Sequence, residues 1–280
     1  MNTPSPLSGA RRPDFLIVGA MKCGTTTLAA QLAAQPGVFM TTPKEPNFFS
    51  DDDVWARGLG WYESLFADAE AGDLKGEAST HYTKLPTYGA CADRLHAALD
   101  DVRLVYITRD PLARLVSHYI HEWSEGVISS DIETALGTNP ELVSYSRYAM
   151  QIEPYLVRYG AENILWTTLE RMRADQAGVL ARVGAHIGMT ETPVWTEEQA
   201  QMNASAERIR RFPGYGLLVD NPVANTVRRT LVPQSLRDAV KARLQKRERP
   251  ELTAATRARL ERVFAEDAAK MAAMFPEGPA

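Results

Sequence analysis

Short apolar runs alternate with amphipathic stretches along most of this chain. Three runs, at 15–18, 104–108 and 164–168, have the length and the β-branched and aromatic content of buried strands. Two weaker runs of the same kind lie at 38–40 and 74–77. Helical spacing of apolar residues is found between and after them, over 26–35, 55–66, 85–99, 112–123, 148–159, 171–187, 235–247 and 253–274. Strands that alternate with helices predict an α/β fold, in which helices flank a central parallel sheet and the crossovers are right-handed.

We predict a single domain over 14–280, preceded by a disordered lead over 1–13 that is polar and rich in proline. A break rich in glycine and proline at 212–222 is interpreted as a surface loop rather than a domain boundary. No stretch approaches the ~18 uncharged apolar residues of a membrane span. The two cysteines, Cys23 and Cys91, have neither a disulfide pattern nor metal-ligand spacing, which favours a cytoplasmic location.

The first predicted strand runs directly into a loop bracketed by two glycines. Gly19 and Gly24 enclose four residues, and three threonines follow where a helix is predicted to begin. The backbone N–H groups of such a loop, together with a helix N-terminus, form a phosphate site. In a Walker A loop the lysine follows the second glycine, whereas Lys22 lies inside this loop. The sequence therefore predicts binding of a phosphorylated ligand other than ATP.

A second candidate anion site follows the strand predicted at 104–108. Arg109 comes first, and Ser117 lies eight residues later on the next predicted helix. A guanidinium group binds phosphate oxygens through two parallel hydrogen bonds. Ligands of open parallel sheets lie beyond the carboxyl ends of the strands, so both sites face one ligand if the two strands are neighbours. That ligand would be phosphorylated at two places. An alternative is that Arg109 pairs with Asp110 and only supports the helix.

The charge of the chain limits its partners. A net charge of -4 argues against a general nucleic-acid binder, and we predict no nucleic-acid partner. The stretch 208–249 nevertheless holds eleven Lys and Arg residues against three Asp and Glu. It forms either solvated helix faces or a basic rim that attracts an anionic ligand. The histidines His81, His118 and His121 lack companions at metal-ligand spacing, so we predict no metal site.

Both candidate anion sites resemble motifs of the sulfotransferases that use 3′-phosphoadenosine 5′-phosphosulfate (PAPS). Residues 18–27 are similar to the loop that binds the 5′-phosphosulfate, and residues 108–119 are similar to the 3′-phosphate motif. Segments 43–49 and 76–82 resemble the heparan-sulfate (glycosaminoglycan) branch of that family and its bacterial relatives. The resemblance covers about residues 14–170 and implies a P-loop-like nucleotide-binding fold.

The resemblance assigns the donor to the two anion sites. Arg109 and Ser117 would bind its 3′-phosphate, and Lys22 would neutralise charge on the oxygen that leaves with the 5′-phosphate. The 5′-phosphosulfate would contact the loop residues Lys22, Cys23, Gly24, Thr25, Thr26 and Thr27. A basic loop that closes over the nucleotide would come from the set Arg208, Arg210 and Arg211. Because Cys23 lies beside a lysine at a helix N-terminus, it is also a candidate nucleophile or redox switch. We interpret its side chain as a filler.

Glu45 matches the catalytic base of the family and would take the proton of the acceptor. The adjacent lysine favours an ionised carboxylate there. The candidates on the acceptor side are Lys44, Phe49 and His81. In relatives that act on glycosaminoglycans a lysine often follows the glutamate that matches Glu77, whereas this chain has Ala78. We therefore do not assign a heparan-like acceptor.

The resemblance implies transfer of a sulfuryl group from PAPS to a hydroxyl or amine of a saccharide or small-molecule acceptor, without a metal. The second product would be 3′-phosphoadenosine 5′-phosphate (PAP). Two alternatives stay open. One is a nucleotide or small-molecule kinase with a degenerate P-loop, which requires a Mg²⁺ site and a lysine placed for the γ-phosphate. The other is a non-catalytic nucleotide-binding or scaffolding protein that has lost turnover.

Overall fold

A five-stranded parallel sheet forms the centre of the described structure. The computed structural model describes residues 11–197 and 249–280. The strands are β1 (Phe15–Gly19), β2 (Val38–Met40), β3 (Leu74–Ala78), β4 (Arg103–Thr108) and β5 (Ile164–Thr168). Their order across the sheet is β2-β3-β1-β4-β5, and every pair of neighbours is parallel. The five predicted strands and the α/β fold class are thereby confirmed.

Helices connect the strands and pack against the sheet. The four residues 15–18 of β1 have no exposed surface, as expected for a central parallel strand covered on both faces. Among the described helices, none has the length and apolar character needed to cross a bilayer. The helices are α1 (Thr25–Ala33), α2 (Asp52–Trp55), α3 (Leu59–Ser64), α4 (Cys91–Ala98), α5 (Pro111–Ser124), α6 (Ile132–Thr138), α7 (Glu141–Ser144), α8 (Tyr148–Tyr159), α9 (Leu169–Ala174), α10 (Gln176–Ile187) and α11 (Ala254–Met274), with short 3₁₀ helices at Thr80–Thr83 and Ala161–Asn163.

Two predicted helices are each divided in the structure. The stretch 55–66 contains the end of α2 and all of α3, because Gly58 lies between them with a left-handed φ of 81°. The stretch 171–187 is divided at Asp175, whose carboxylate accepts a hydrogen bond from the backbone N–H of Gly178 (2.9 Å) and caps α10. A capping aspartate satisfies the first N–H groups of a new helix and so starts one.

The helix predicted at 85–99 begins only at Cys91. Pro86 and Gly89 lie in its first part, and both residues disfavour a helix interior. The sequence patterns did not predict α6 and α7, which lie between α5 and α8. The predicted helix 235–247 and the predicted loop at 212–222 lie outside the described residues.

The sheet order brings three loops to one edge. In β1, Phe15 pairs with Gly76 of β3 on one side and with Arg103 of β4 on the other. Because all three strands are parallel, the loops that follow them leave from the same, carboxyl edge of the sheet. The shared ligand predicted from the sequence requires β1 and β4 to be neighbours, and the structure pairs these two strands.

The C-terminal helix α11 supplies the N-cap of α8. No side chain at the start of α8 caps that helix. Asp267, buried on α11, instead accepts hydrogen bonds from the backbone N–H groups of Ala149 (2.8 Å) and Met150 (3.4 Å). A carboxylate in this position satisfies unpaired N–H groups and interacts favourably with the helix dipole. The hydroxyl of Tyr148, the first residue of α8, lies 3.7 Å from Cys23 Sγ. The helix that Asp267 caps therefore contacts the glycine loop.

We expect Asp267→Ala to lower the free energy of unfolding by about 1–2 kcal/mol, the usual cost of losing an N-cap side chain. A urea titration followed by circular dichroism measures this change. Glu266→Ala is the matched control, because Glu266 is exposed on the same helix. Equal losses in the two variants would contradict the capping role.

Candidate active site

The glycine loop between β1 and α1 lies at the carboxyl edge of the sheet. Its first N–H group, that of Ala20, donates a hydrogen bond to the Ile107 carbonyl of β4 (2.7 Å). Lys22 and Gly24 have left-handed φ angles of 67° and 90°. Gly24 is required for a second reason, since a Cβ there would lie 2.8 Å from the Met172 side chain. The loop is therefore tied to β4 and turns sharply into α1.

The N-terminus of α1 is open to an anion. Its N-cap residue, Gly24, has no side chain to cap the helix, and no acidic residue lies in the first turn. In the described structure, the first N–H groups of α1 therefore carry the positive end of the helix dipole without a capping side chain. The residues of that turn are Thr25, Thr26 and Thr27. All three belong to the predicted phosphate contacts.

Arg109 brings the second motif into contact with the first. It follows β4 directly, and its Nη1 donates a hydrogen bond to the carbonyl oxygen of Lys22 (3.1 Å). Its Nε is buried and has no hydrogen-bond partner among the described residues. The carboxylate of Asp110 accepts a hydrogen bond from Ala113 N–H (2.7 Å) and caps α5, so these contacts do not favour a simple Arg109–Asp110 pair. Ser117 is partly buried on the same helix.

The Cys23 side chain is buried in the core. Burial raises the pKa of its thiol to about 11, and the hydrogen bond with Tyr148 and the charges of Arg114 and Arg109 oppose this only in part. A protonated, buried thiol is a poor nucleophile. The structure therefore disfavours the nucleophile and redox interpretations. The backbone N–H of Cys23 donates to the Ala20 carbonyl (3.2 Å) and so holds the turn of the loop.

Glu45 lies in the loop after β2 and reaches the end of β3. Its backbone N–H donates to the carbonyl of Ala78, the last residue of β3 (3.0 Å). Its carboxylate accepts two hydrogen bonds, from Lys44 Nζ to Oε1 (2.6 Å) and from Thr80 Oγ1 to Oε2 (3.3 Å). Because β3 pairs with β1, Glu45 and the glycine loop lie at the ends of neighbouring strands.

Two lysines hold the Glu45 carboxylate in its ionised form. Burial acts to raise its pKa, but the charge and hydrogen bond of Lys44, with a smaller contribution from Lys84, leave the pKa below the ordinary value for glutamate. The side chain of Glu45 is 32% exposed, so it is accessible to a ligand. Glu45 is therefore an accessible, ionised carboxylate, as a proton acceptor must be.

Lys84 is a charged residue near Glu45 that sequence reasoning missed. Burial lowers the pKa of its ammonium group to about 8, although Glu45 and Glu122 act to raise it. Its Nζ lies 5.9 Å from the ring centroid of Tyr145. No pattern in the sequence indicated this residue, because only the turn after β3 brings it toward Glu45. The one feature of the sequence that could have indicated Lys84 is its position just after segment 76–82, which resembles the sulfotransferases.

His81 lies in the same region, and its role on the acceptor side stays a prediction. Its ring stacks on Tyr88 with 4.7 Å between the ring centroids. Burial and the charge of Lys84 lower its pKa to about 4, against the opposing effect of Glu45. The imidazole is therefore neutral at neutral pH, and it can contribute a hydrogen bond but not a positive charge.

Phe49 does not lie where an acceptor could contact it, which corrects its predicted place. Its side chain has no exposed surface and packs edge-on against Tyr62 and Tyr82, with 5.0 and 5.6 Å between ring centroids. The aromatic cluster beside β3 buries it because a large apolar ring is more stable away from water. Lys44, the other acceptor-side candidate in this loop, stays partly exposed and binds Glu45.

Arg114 is a second charged residue that sequence reasoning missed. It lies on α5 between Arg109 and Ser117 and has no exposed surface. Its Nε donates to Ser146 Oγ (2.7 Å), and its Nη2 donates to the Leu142 carbonyl (3.0 Å). Burial lowers the pKa of the guanidinium group. The available signal was an arginine surrounded by apolar residues of a predicted helix.

Some predictions for the site fall outside the described structure. The predicted nucleotide-closing residues Arg208, Arg210 and Arg211 lie in the range 198–248, beyond the described residues, so their role stays a prediction. Within 11–197 and 249–280, no group of three His, Cys, Asp or Glu side chains is arranged to hold a metal ion. The described residues bring together the glycine loop and Arg109 at the ends of β1 and β4, with Glu45 at the end of β3.

The family model described as "Sulfotransferase domain" matches residues 12–272 of this chain. Heparan sulfate glucosamine 3-O-sulfotransferase 6 from Homo sapiens is 31% identical over 209 residues, which cover 70% of this chain and 58% of that protein. Heparan sulfate glucosamine 3-O-sulfotransferase 3B1 from Mus musculus is 28% identical over 207 residues, which cover 67% and 51% of the two chains. The chain thus spans little more than half the length of these curated relatives.

Solved structures show the same fold. A sulfotransferase from Alicyclobacillus acidocaldarius superposes with a TM-score of 0.66 at 22% identity, over 94% of this chain and 95% of its own. The sulfotransferase domain from the curacin biosynthetic pathway gives a TM-score of 0.52 at 14% identity, over 92% and 98% of the two chains. The family match extends over nearly all of the chain, which confirms the resemblance seen in the two anion motifs. This chain belongs to the sulfotransferase domain family.

Proposed function

We propose that this chain transfers a sulfuryl group from PAPS to the hydroxyl or amine of an acceptor. The observation that carries the proposal is the hydrogen bond from Arg109 Nη1 to the Lys22 carbonyl (3.1 Å). This contact brings two anion-binding motifs to one point at the carboxyl edge of the sheet. PAPS carries phosphate groups at two places on one nucleotide, and two adjoining anion sites fit such a ligand.

The residues present fit this donor. The N–H groups of the first turn of α1, together with Lys22, would hold the 5′-phosphosulfate. Arg109 and Ser117 would hold the 3′-phosphate, and the buried Arg109 Nε is a donor that lacks a partner in the described structure. When bound, the donor supplies the sulfuryl group and leaves as PAP. A sulfuryl group carries less charge than a phosphoryl group, so the proposal includes no divalent metal.

Glu45 is proposed as the general base. The neighbouring Lys44 keeps its carboxylate ionised, so an oxygen of Glu45 can accept the proton of an acceptor O–H or N–H group. The ammonium group of Lys22 would neutralise the negative charge that develops on the leaving phosphate oxygen. The base and this cation would thus act on opposite ends of the transferred group, from the ends of β3 and β1.

The acceptor is proposed as a class only: a saccharide or small molecule that presents a hydroxyl or amine. The named relatives act on glucosamine of heparan sulfate, but Ala78 stands where relatives of that kind often have a lysine. A kinase with a degenerate P-loop is the second candidate from the sequence. No contact among the described residues favours it, and the first experiment below separates the two.

Calorimetric titration without Mg²⁺ should show PAP bound more tightly than ADP by about 10- to 100-fold, since hydrogen bonds to a charged group contribute about 1.5–3 kcal/mol. Arg109→Met should remove most of this preference and leave the affinity for ADP nearly unchanged. The preference comes from the 3′-phosphate, which ADP lacks. Tighter binding of ADP than of PAP, and only with Mg²⁺, would contradict the proposal and favour a kinase.

Glu45→Gln should reduce kcat by about 10²- to 10⁴-fold, the usual contribution of a general base, while the affinity for PAP is preserved. Transfer of labelled sulfate from PAPS to a panel of saccharide and small-molecule acceptors measures kcat. Glu153→Gln is the matched control, because Glu153 is exposed on α8. Undiminished turnover in Glu45→Gln would remove Glu45 from the mechanism.

Lys44→Met should move the acid limb of the kcat–pH profile to higher pH. Activity requires the ionised carboxylate of Glu45, so it is present above the pKa of Glu45 and is lost as the pH falls through it. Lys44 lowers that pKa, and its removal therefore raises it. Lys44→Arg keeps the charge and should leave the acid limb in place. If the two variants gave the same profile, Lys44 would not set the ionisation of the base.

A further inference from the structure

The loop that carries Glu45 has an unusual backbone conformation. Glu45 and Asn47 have φ angles of 60° and 55°, in the left-handed region that residues other than glycine seldom adopt. Such a conformation persists only where the surrounding contacts determine it. The contacts that hold this loop therefore also decide where the Glu45 carboxylate lies.

Three consecutive residues at the end of β3 provide these contacts. The Ala78 carbonyl accepts a hydrogen bond from Glu45 N–H (3.0 Å). Ser79 Oγ accepts one from the backbone N–H of Asn47 (3.1 Å). Thr80 Oγ1 donates a third to Glu45 Oε2 (3.3 Å). These residues thus bind the backbone of the loop at two points and the carboxylate at a third.

A fully buried carboxyl group lies behind these contacts, and the proposed reaction does not use it. Glu77 has no exposed surface. Its Oε1 accepts a hydrogen bond from the Ser79 hydroxyl and its Oε2 accepts one from the Tyr62 hydroxyl, each at 2.5 Å. Ser79 has a single hydroxyl hydrogen, so donating it to Glu77 leaves the oxygen lone pairs to accept the Asn47 N–H. Glu77 therefore fixes the direction of the hydroxyl that holds the loop.

Glu77 is also connected to the loop through a second set of contacts, made by Tyr62. Phe48 directly follows Asn47, and its ring stacks on Tyr62 with 4.7 Å between centroids and 17° between planes. The hydroxyl of that tyrosine is the one that Glu77 binds. Glu77, Ser79 and Tyr62 are fully buried, where a polar group that loses its partner is costly. The loop is thus held at Asn47 by a hydrogen bond and at Phe48 by packing.

We propose that Glu77 and Ser79 are positioning residues for the transfer reaction: through the Asn47 N–H they hold the loop that aims the Glu45 carboxylate. This inference rests on the proposed role of Glu45 as the base. The side-chain hydrogen bonds of both residues in the described structure involve neither anion-binding loop. Loss of the contact should therefore slow turnover without weakening donor binding.

Ser79→Ala tests the proposal directly, because it removes the acceptor of the Asn47 N–H. We expect kcat to fall by about 10- to 100-fold, the effect of misplacing a catalytic group by about 1 Å. The affinity for PAP, measured by calorimetry, should not change. Hydrogen–deuterium exchange of the peptide that contains Asn47 should accelerate, since its N–H loses its partner.

Glu77→Gln is the conservative variant. The glutamine oxygen can accept from the Ser79 hydroxyl, and its NH₂ group can donate to the Tyr62 oxygen, so the arrangement is weakened but not broken. Its kcat and its exchange rate should lie between those of the wild type and of Ser79→Ala. This variant also provides the test if Ser79→Ala does not fold.

Tyr159→Phe is the control for a purely structural effect. The buried hydroxyl of Tyr159 donates to the Leu99 carbonyl (2.6 Å), at the amino edge of the sheet, opposite to the site. Its removal should lower the melting temperature but leave kcat and the exchange of the Asn47 peptide unchanged. A loss of kcat in this variant equal to that in Ser79→Ala would overturn the proposal.

Two other outcomes would also overturn it. One is unchanged exchange of the Asn47 peptide in Ser79→Ala, because the loop would then be held by other contacts. The other is a loss of PAP affinity in proportion to the loss of kcat, which would place the defect in the donor site. The exchange measurement needs no turnover, so it tests the positioning role even if the wild-type protein transfers no sulfuryl group and the proposed function fails.

Discussion

The site depends on the parallel pairing of β1 with β4 on one side and with β3 on the other. On the β4 side, Ala20 N–H binds the Ile107 carbonyl (2.7 Å), which places the glycine loop beside Arg109. On the β3 side, the carbonyl of the last residue of the strand binds the N–H of Glu45 (3.0 Å). A single central strand therefore sets the relative places of the anion site and of the carboxylate. If the glycine loop or Glu45 lay in another segment of the chain, a different strand order would be needed to bring them to neighbouring positions.

The interior next to the anion site carries a buried charge, and its hydrogen-bond partners among the described residues are neutral groups. Arg114 is fully buried, and its Nη2 lies 3.1 Å from His118 Nδ1. A guanidinium group can only donate, so Nδ1 accepts and the proton of the imidazole lies on Nε2. That nitrogen faces Glu122 Oε1 at 3.3 Å. Burial lowers the pKa of His118 to about 4, so the ring is neutral. A neutral, polarised ring thus links the buried cation to a carboxylate nearer the surface.

The sequence predicts elements and motifs that are local, and misses what depends on packing. The strands and α8 are confirmed because apolar runs and helical spacing are local signals. The two anion motifs are local as well, and their meeting required only that β1 and β4 be neighbours. Phe49 and Lys84 show the limit. The sequence around Phe49, which lies in the loop of Glu45, does not distinguish a ring that lines a cleft from one that fills the core. Lys84 reaches the site only because of the turn after β3. Contacts between segments that are distant in sequence produce no periodic pattern of apolar residues.

The position after Glu77 holds no charged residue in this chain, so the charges that act on Glu45 come from elsewhere. The side chain of Ala78 is a methyl group and has no charge, and its backbone carbonyl accepts a hydrogen bond from the Glu45 N–H. The charges that lower the pKa of Glu45 come from Lys44, its neighbour in sequence, and from Lys84. Since burial lowers the pKa of Lys84 to about 8, its share of this effect declines as the pH rises above that value. Lys44 makes the direct ion pair with Glu45 (2.6 Å) and contributes the largest of the effects that lower this pKa. The ionised state of the proposed base is therefore set chiefly by a residue of its own loop, and the rest of the cluster adjusts it.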